Sequence, residues 1–192
     1  MEKTKKENLV FDGRLLKFYN DEVELENGNI TNREYVKHPG GVCCLALKNG
    51  KIYFEKQFRY PYRKEILELP AGKLELNEKP IDAMKRELKE EIGFVPKNLE
   101  YVGEMYPSVG YTNEIIYLYF SPLNDVTDNK LDDDEFLEAF PIDIKEAYSM
   151  LDNNEIHDAK TIILMLKLRK RIFDEYLWTT LKTKLKEPEI SR

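Results

Sequence analysis

The chain has 192 residues, of which 42% are hydrophobic and 34% are charged. This length is sufficient for one domain with a complete hydrophobic core and short for two, and the composition excludes a disordered or fibrous chain. The formal net charge of −6 argues against a nucleic-acid partner, because proteins that bind phosphate backbones normally present a basic face.

The N-terminus and the two cysteines bear on cellular location. The opening sequence MEKTKKENLV has no apolar stretch of the kind found in a signal peptide, and no segment approaches the roughly 20 apolar residues of a membrane span. We therefore predict a cytoplasmic protein with no membrane partner. On a strand, Cys43 and Cys44 would point to opposite faces, so we predict two reduced thiols.

Strand patterns dominate the first part of the chain. Residues up to about Asn8 are predicted to form a solvated tail, residues 9–25 an extended hairpin, and the segment REYVKH the next strand. GVCCLAL and KIYFEKQF flank Asn49-Gly50, which favours a tight hairpin turn because both residues tolerate positive φ. Further short strands are predicted at residues 64–69, 99–106, 114–121 and 136–142.

Helical periodicity appears once between these strands and twice near the end of the chain. Residues 79–92 are predicted to be a helix, with Pro80 in the first turn and Gly93 as the C-terminal cap. Its predicted apolar stripe consists of Ile81, Met84 or Lys85, Leu88 and Ile92. Two further helices are predicted at residues 142–151 and 159–176. This order indicates an α+β fold with a mixed sheet.

Residues 72–94 carry a fixed spacing of glycine, glutamate and arginine. Gly72 is followed after five residues by Glu78, and after seven more by the run RELKEEIGF. On a helix, the three glutamates of this run, at 87, 90 and 91, gather along one side. Such hard oxygen ligands suit Mg²⁺. The alternative is the solvated face of an amphipathic helix, which the flanking Gly72, Glu78 and Gly93 disfavour.

This spacing resembles the box of the Nudix hydrolases. The resemblance implies the Nudix fold, a mixed β-sheet core sandwiched by helices with an N-terminal β-hairpin extension, and hydrolysis of a diphosphate with Mg²⁺ or Mn²⁺. It implies metal ligation by the Ala71 carbonyl, Glu87, Glu90 and Glu91, with Glu91 and Glu90 as catalytic residues. The structural positions of the box are Gly72, Glu78, Arg86 and Gly93. Arg86 could pair with Glu78 or Glu90, and the resemblance favours Glu78.

Segments outside the box resemble the ADP-ribose pyrophosphatase branch of that family. They are REYVKHPGGVCCLAL, EKQFRYPYRKEILELPAG, YPSVGYTNEIIYLYF and AYSMLDNNEIHDAKTIILML. The branch usually has Ser-Pro-Gly after the box, whereas this chain has Ser108-Val109-Gly110. The implied reaction is cleavage of ADP-ribose to AMP and ribose 5-phosphate. Two alternatives are hydrolysis of another nucleoside diphosphate derivative, such as a nucleotide sugar or a dinucleoside polyphosphate, and a non-catalytic ADP-ribose-sensing module, which would be expected to have a degraded box.

Candidate substrate contacts lie on both sides of the box. Planar guanidinium groups hold phosphate or sugar oxygens well, and aromatic rings stack on adenine. The candidates are Arg59, Arg63, Glu68 and Glu114, with Phe11 and Tyr35 as aromatic candidates. Each has a plainer interpretation as an ordinary surface, strand or core residue. His38 is predicted to be a strand-end residue rather than a catalyst.

An acidic segment at residues 124–138 is the candidate source of a general base. In the families that this chain resembles, a loop in this position delivers a glutamate to the attacking water, and Glu135 is the first candidate. Asp132, Asp133 and Asp134 are alternatives, and a solvated loop is the plainer interpretation.

The resemblance also implies a homodimer. We predict that residues 1–38 form an N-terminal strand extension at the dimer interface, because the apolar runs LVF and LLKFY need burial. Residues 39–180 are predicted to be the Nudix hydrolase domain and residues 181–192 a C-terminal tail. The predicted partners are therefore a small-molecule substrate and a second copy of the chain.

Overall fold

The computed structural model describes residues 1–96, 98–122, 127–128 and 139–184. The strands are β1 (Lys3–Lys6), β2 (Leu9–Asp12), β3 (Lys17–Glu24), β4 (Ile30–Lys37), β5 (Gly41–Lys48), β6 (Lys51–Arg59), β7 (Lys64–Glu68), β8 (Ala71–Lys73), β9 (Phe94–Val95), β10 (Glu100–Met105), β11 (Ile116–Pro122), β12 (Thr127–Asp128) and β13 (Ala139–Asp143). The helices are α1 (Pro80–Ile92), α2 (Ile144–Asp152) and α3 (Ala159–Lys184), and a 3-10 turn covers Tyr60–Tyr62.

The N-terminal sheet is built around β3. The predicted hairpin is confirmed, with β2 antiparallel to the first half of β3, and β4 pairs along the whole of β3 on its other side. The predicted solvated tail is wrong in part, because β1 pairs with the second half of β3, starting from Lys3 opposite Glu24. Strand β3 is longer than β2, so its open edge accepts β1 through backbone hydrogen bonds that need no apolar side chains.

The core sheet is mixed, as predicted. Its order is β10-β11-β5-β6-β13, with β7 also on β6 and β8 also on β5. Strands β11 and β5 are parallel, and the other pairs are antiparallel. The turn between β5 and β6 has φ of 51° at Asn49 and 73° at Gly50, which confirms the predicted tight hairpin.

Helices cover both faces of this sheet. Cys44 lies in one apolar cluster with residues of α1, and Cys43 lies in the other with residues of α2 and α3. Both thiols are free and buried, as predicted. Strand β5 is buried through Ala46 because both of its faces are covered.

Helix α1 starts and ends where the sequence predicts. Pro80 occupies the first turn, and Gly93 ends the helix in the left-handed conformation, with φ of 71° and its N–H donating to the carbonyls of Leu88 and Lys89. Ile81, predicted to belong to the apolar stripe, is exposed. The buried face of the helix includes Ala83 and Glu91 as well as the other predicted positions, which leaves Ile81 at its margin in the first turn. A carboxylate therefore lies on the core side of this helix.

The last two helices confirm the predicted pair. Asp143 caps α2 by accepting a hydrogen bond of 2.9 Å from the N–H of Lys145. Helix α3 continues to Lys184, eight residues past its predicted end, because residues 159–184 contain no glycine or proline to stop it. Within the described part of the chain, each helix is too short or too polar to cross a membrane.

Candidate active site

The loop between β7 and β8 meets helix α1 at Gly72. A Cβ atom placed on Gly72 would lie 1.8 Å from Cδ of Glu87. Any residue larger than glycine would therefore collide with the Glu87 carboxylate. The backbone at Gly72 therefore passes close to the box helix at this one side chain.

Glu91 and Glu55 form a buried pair of carboxyl groups behind this loop. Glu91 is 6% exposed, and its Oε2 accepts a hydrogen bond of 3.0 Å from the N–H of Ala71. Glu55 on β6 is fully buried, and no N–H or O–H group of the described residues donates to either of its carboxylate oxygens. The pair therefore concentrates negative charge that the neighbouring residues do not neutralise directly.

Burial and mutual repulsion act on this pair in the same direction. Burial raises the pKa of Glu91, and the negative charges of Glu55 and Glu87 raise it further. Burial also raises the pKa of Glu55, with a second contribution from the charge of Glu68. Both shifts indicate a site that a bound cation would stabilise.

Arg86 organises a second group of carboxylates on the outer side of the loop. Its Nε and Nη2 donate to the two carboxylate oxygens of Glu78, each at 3.0 Å. Its Nη1 donates to Glu87 at 2.7 Å and to Glu90 at 3.0 Å, and Nη2 also reaches the carbonyl of Lys73 at 3.1 Å. Both predicted pairings of Arg86 are thus present. The hydrogen bond from Arg86 lowers the pKa of Glu78.

Two adjoining cavities open beside these carboxylates. The first, here called the acidic cleft, has a volume of about 390 Å³. Its wall includes Arg59, Ala71, Gly72, Glu87, Glu91, Glu114 and Lys160. The second, here called the basic cavity, has a volume of about 750 Å³. Its wall includes Arg14, Lys17, Tyr19, Lys37, Lys73 and Arg86. Leu15, His38, Lys73 and Glu87 line both cavities, so the two are next to each other.

Three of the predicted substrate contacts lie at or next to the acidic cleft. Arg59 lines it and donates from Nε and Nη2 to the two carboxylate oxygens of Glu68, each at 2.6 Å. Glu68 is buried behind the cleft and is therefore a partner of Arg59. Glu114 lines the cleft, with Oε1 3.3 Å from Nδ1 of His38. His38 follows β4, as predicted for a strand-end residue, and it also forms part of the cavity wall.

The other predicted contacts lie elsewhere. The Arg63 guanidinium stacks 3.4 Å from the centre of the Tyr60 ring, and Arg63 does not line the acidic cleft. Phe11 is 61% exposed on β2. Tyr35 stacks on Tyr19, with ring centres 5.1 Å apart. Glu90 is half-exposed and faces Arg86 rather than the cleft. The predicted bases Glu135, Asp132, Asp133 and Asp134 lie outside the described residues.

Sequence reasoning missed Glu55, Lys160 and Tyr19. Glu55 gave a weak signal as a charged residue between Phe54 and Lys56 in an otherwise strand-like run. Lys160 gave none, because a lysine in the first turn of a helix is usually solvated. Its Nζ instead forms buried ion pairs with Glu68 and with Asp158, the latter at 3.0 Å. Each of the three belongs to a different element and reaches the site only through tertiary packing.

The chemistry of the acidic cleft suits a hard divalent cation. No three acidic, histidine or cysteine side chains of the described residues already converge in metal-binding geometry, because Arg86 engages Glu87 and the Ala71 amide engages Glu91. The Glu55 carboxylate nevertheless has no donor of its own, and Gly72 leaves the Glu87 carboxylate uncovered. Carboxylate and carbonyl oxygens are the ligands that Mg²⁺ and Mn²⁺ prefer.

Comparison with known proteins identifies the family. The family model of the NUDIX domain matches residues 37–166. The chain belongs to the Nudix family. A solved structure of an ADP compounds hydrolase superposes on this Nudix protein with a TM-score of 0.77 at 16% identity, covering 91% of this chain and 95% of the other. The predicted α+β Nudix fold is therefore confirmed.

Several curated relatives of this Nudix protein are similar over most of their length. It is 40% identical to an ADP-ribose pyrophosphatase of Bacillus subtilis, over 83% of this chain and 88% of the relative. It is 39% identical to a methanol dehydrogenase activator of Bacillus methanolicus, over 88% and 92%. A GDP-mannose pyrophosphatase of Yersinia enterocolitica is 32% identical over 61% and 65%. Nudix hydrolases generally use divalent metal ions.

Proposed function

We propose that this Nudix protein hydrolyses the diphosphate linkage of ADP-ribose to AMP and ribose 5-phosphate, with Mg²⁺ as its metal and Mn²⁺ as a substitute. The observation that carries the proposal is that the acidic cleft and the basic cavity lie side by side and share four lining residues. One compartment has the oxygen ligands for a metal, and the other has cations and an aromatic ring for an anionic nucleotide. The similarity to an ADP-ribose pyrophosphatase over most of both chains supports this substrate.

The metal would be held by box residues. Glu87, Glu91 and the Ala71 carbonyl would ligate it from the wall of the cleft, and Glu90 would join them by turning away from Arg86. A divalent cation bound there supplies a Lewis acid that neutralises negative charge on the phosphate oxygens. Glu91 keeps the Ala71 carbonyl in place, because its carboxylate already accepts the N–H of that residue.

Groups around the metal ligands would bind the substrate and activate water. Among the described residues, Glu68 engages only Nε and Nη2 of Arg59, which leaves Nη1 for a phosphate or sugar oxygen. Tyr19 lines the basic cavity and is backed by Tyr35, so we assign adenine stacking to Tyr19 and a supporting position to Tyr35. Glu135 remains the proposed general base, with Asp132, Asp133 and Asp134 as alternatives.

A substrate panel with product identification tests this proposal. ADP-ribose, GDP-mannose, a dinucleoside polyphosphate and a nucleoside triphosphate would be compared by kcat/KM at saturating Mg²⁺. We expect the highest value for ADP-ribose, with AMP and ribose 5-phosphate as products. A clear preference for GDP-mannose would instead support hydrolysis of a nucleotide sugar. The similarity to a GDP-mannose pyrophosphatase makes this the alternative to test.

A second candidate function is activation of another enzyme. The observation that favours it is the 39% identity to a methanol dehydrogenase activator over nearly the whole of both chains. Addition of the protein to a methanol dehydrogenase assay would test it, with the Glu91→Gln variant as a control for hydrolysis. Stimulation by the native protein and not by the variant would show that activation depends on the proposed catalytic site.

We further propose a cytoplasmic homodimer in which residues 1–38 pack against the partner copy. The N-terminal sheet exposes apolar side chains that a second copy would bury, namely Leu9, Val10, Phe11, Leu15, Leu16 and Ile30. Leu15 also lines both cavities, so this sheet borders the site. Light scattering of the full chain would report the dimer. A monomer that hydrolyses its substrate at full rate would refute it.

A further inference from the structure

Residues 158–161, at the N-terminus of α3, form a small hydrogen-bonded unit outside the Nudix box. The Oδ2 of Asp158 accepts from the N–H of Thr161 at 3.0 Å and from its Oγ1–H at 2.6 Å. The Oδ1 of Asp158 lies 3.0 Å from Nζ of Lys160. Because its proton is donated to Asp158, the Thr161 hydroxyl can only accept from the opposite side.

The donor to this hydroxyl oxygen comes from the loop that carries the proposed metal ligand Ala71. The N–H of Leu69 donates to Thr161 Oγ1 at 2.9 Å, across 92 residues of sequence. Thr161 and Leu69 are both fully buried. A buried N–H without an acceptor is costly, so this hydrogen bond fixes the backbone two residues before Ala71.

Each residue of the loop up to Ala71 has its own anchor. Lys160 and Arg59 hold the Glu68 carboxylate, and Thr161 holds the Leu69 amide. The Pro70 carbonyl accepts from the N–H of Cys44 at 2.9 Å, and the Ala71 amide donates to Glu91. Two of the four anchors therefore come from residues 158–161.

We propose that Thr161, oriented by Asp158, is a positioning residue for the acidic cleft, acting through Leu69 on the Ala71 carbonyl and on Glu91. Lys160 acts beside it through Glu68. The inference rests on the proposed metal-dependent hydrolysis, and it assigns to α3 a part of the site that the box does not contain. Residues that orient metal ligands typically contribute about 10- to 100-fold to metal affinity or activity.

The test compares Thr161→Val with Thr161→Ser in the full-length protein. Valine keeps the shape of the side chain and removes the acceptor for Leu69, whereas serine retains it. We expect Thr161→Val to weaken Mn²⁺ binding, measured by calorimetry without substrate, by about tenfold. Its kcat should fall by a similar factor with less change in KM for ADP-ribose, and Thr161→Ser should remain close to the native protein.

Ser121→Ala is the matched control. Ser121 is also fully buried, and its hydroxyl donates to the Asn98 carbonyl at 3.1 Å. It lies opposite Ala46 on β5, whereas the cleft lies at the Gly41 end of that strand. We expect Ser121→Ala to lower the midpoint of thermal unfolding and to leave Mn²⁺ affinity unchanged.

Unchanged Mn²⁺ affinity and kcat in Thr161→Val would overturn the proposal. An equal loss in Ser121→Ala would also overturn it, because it would show a general effect of core stability. If Thr161→Val does not fold, Asp158→Ala tests the same unit, because it removes the oxygen that accepts both hydrogen bonds from Thr161, and native Mn²⁺ affinity in that variant is the contradicting result. If Mn²⁺ affinity falls in Thr161→Val as expected but the native protein does not cleave ADP-ribose, the proposed substrate alone would be refuted.

Discussion

Two groups of carboxylates flank the Gly72 loop, and they differ in how their charge is balanced. The Arg86 group, Glu78, Glu87 and Glu90, shares one guanidinium through hydrogen bonds of 2.7–3.0 Å. The buried group consists of Glu55, Glu68 and Glu91. Its cations, Arg59 and Lys160, both pair with Glu68, and the described residues include no direct ion pair for Glu55 or Glu91. Each carboxylate of the outer group thus has a direct hydrogen bond from the guanidinium of Arg86, whereas the inner pair has no direct cationic partner among the described residues and offers room for an external cation.

Glu87 belongs to both settings, because it pairs with Arg86 and lines the acidic cleft. Burial raises its pKa, and the hydrogen bond from Arg86 opposes that shift. Metal binding would therefore draw Glu87 away from Arg86 and leave Glu78 as the main partner of the guanidinium. The difference between the groups separates residues that hold the loop from residues that we propose as metal ligands.

The largest expected effect comes from Glu91→Gln. The amide oxygen of glutamine can still accept the Ala71 N–H, so the fold should remain, but the charged ligand is lost. We expect kcat to fall by at least about 100-fold at saturating Mg²⁺. Glu146→Gln, an exposed glutamate on α2, is the control and should retain native kcat. Near-native turnover of Glu91→Gln would contradict the assignment of the inner pair to the metal.

Arg86→Lys should break the outer group. An ammonium group cannot reproduce the planar contacts to Glu78, Glu87 and Glu90, so we expect the free energy of unfolding to fall by about 2 kcal/mol. Urea unfolding would measure it. The control is Arg171→Lys, which alters an exposed guanidinium paired with two glutamates and should cost no more than about 0.5 kcal/mol. Equal losses of unfolding free energy in the two variants would show that the outer group stabilises the fold no more than an exposed ion pair does.

The two groups also differ in how far the sequence predicts them. The Arg86 group lies on one helix and the loop before it, so spacing and the family resemblance identified its members and the pairings of Arg86 with Glu78 and Glu90, although not the pairing with Glu87. The buried group is assembled from β6, β7, α1 and α3, and it depends on the register that sets Glu55 opposite Glu68. Local periodicity contains no information about that register, which is why Glu55 and Lys160 were missed.

The same physical limit applies to the fold. The Asn49-Gly50 turn, the caps of α1 and the mixed sheet follow from local signals, and the structure confirms them. Strand β1 was missed because its charged, exposed side chains give no alternation, and its pairing depends on the open edge of β3. Arg63 was chosen for its chemistry, whereas the left-handed backbone that directs it onto Tyr60 could not be foreseen.

Glu55→Gln tests the charge imbalance of the inner pair through stability. An amide donates a hydrogen bond to Glu91 and removes an unpartnered buried carboxylate, so we expect the metal-free protein to gain about 1–2 kcal/mol at neutral pH. Thermal unfolding with and without Mg²⁺ would measure the gain, which should shrink with the metal. Glu68→Gln is the contrasting variant, because it loses the contacts to Arg59 and Lys160 and should destabilise. A loss of stability in both variants would contradict this expectation and would show that the Glu55 carboxylate makes a stabilising contact.

The smallest effect is expected for Glu90→Gln, which decides whether the outer group reaches the metal. Glu90 is half-exposed, and its contact with Arg86 is a helical pair four residues apart, so the free energy of unfolding should change by less than about 0.5 kcal/mol. As a proposed ligand that must first leave Arg86, it should contribute less than Glu91, and we expect kcat to fall by roughly tenfold or less. The Mg²⁺ concentration for half-maximal rate should rise in the same experiment. A loss as large as that of Glu91→Gln would show that Glu90 turns fully into the cleft, and the division between a structural group and a metal group would then have to be redrawn through Arg86.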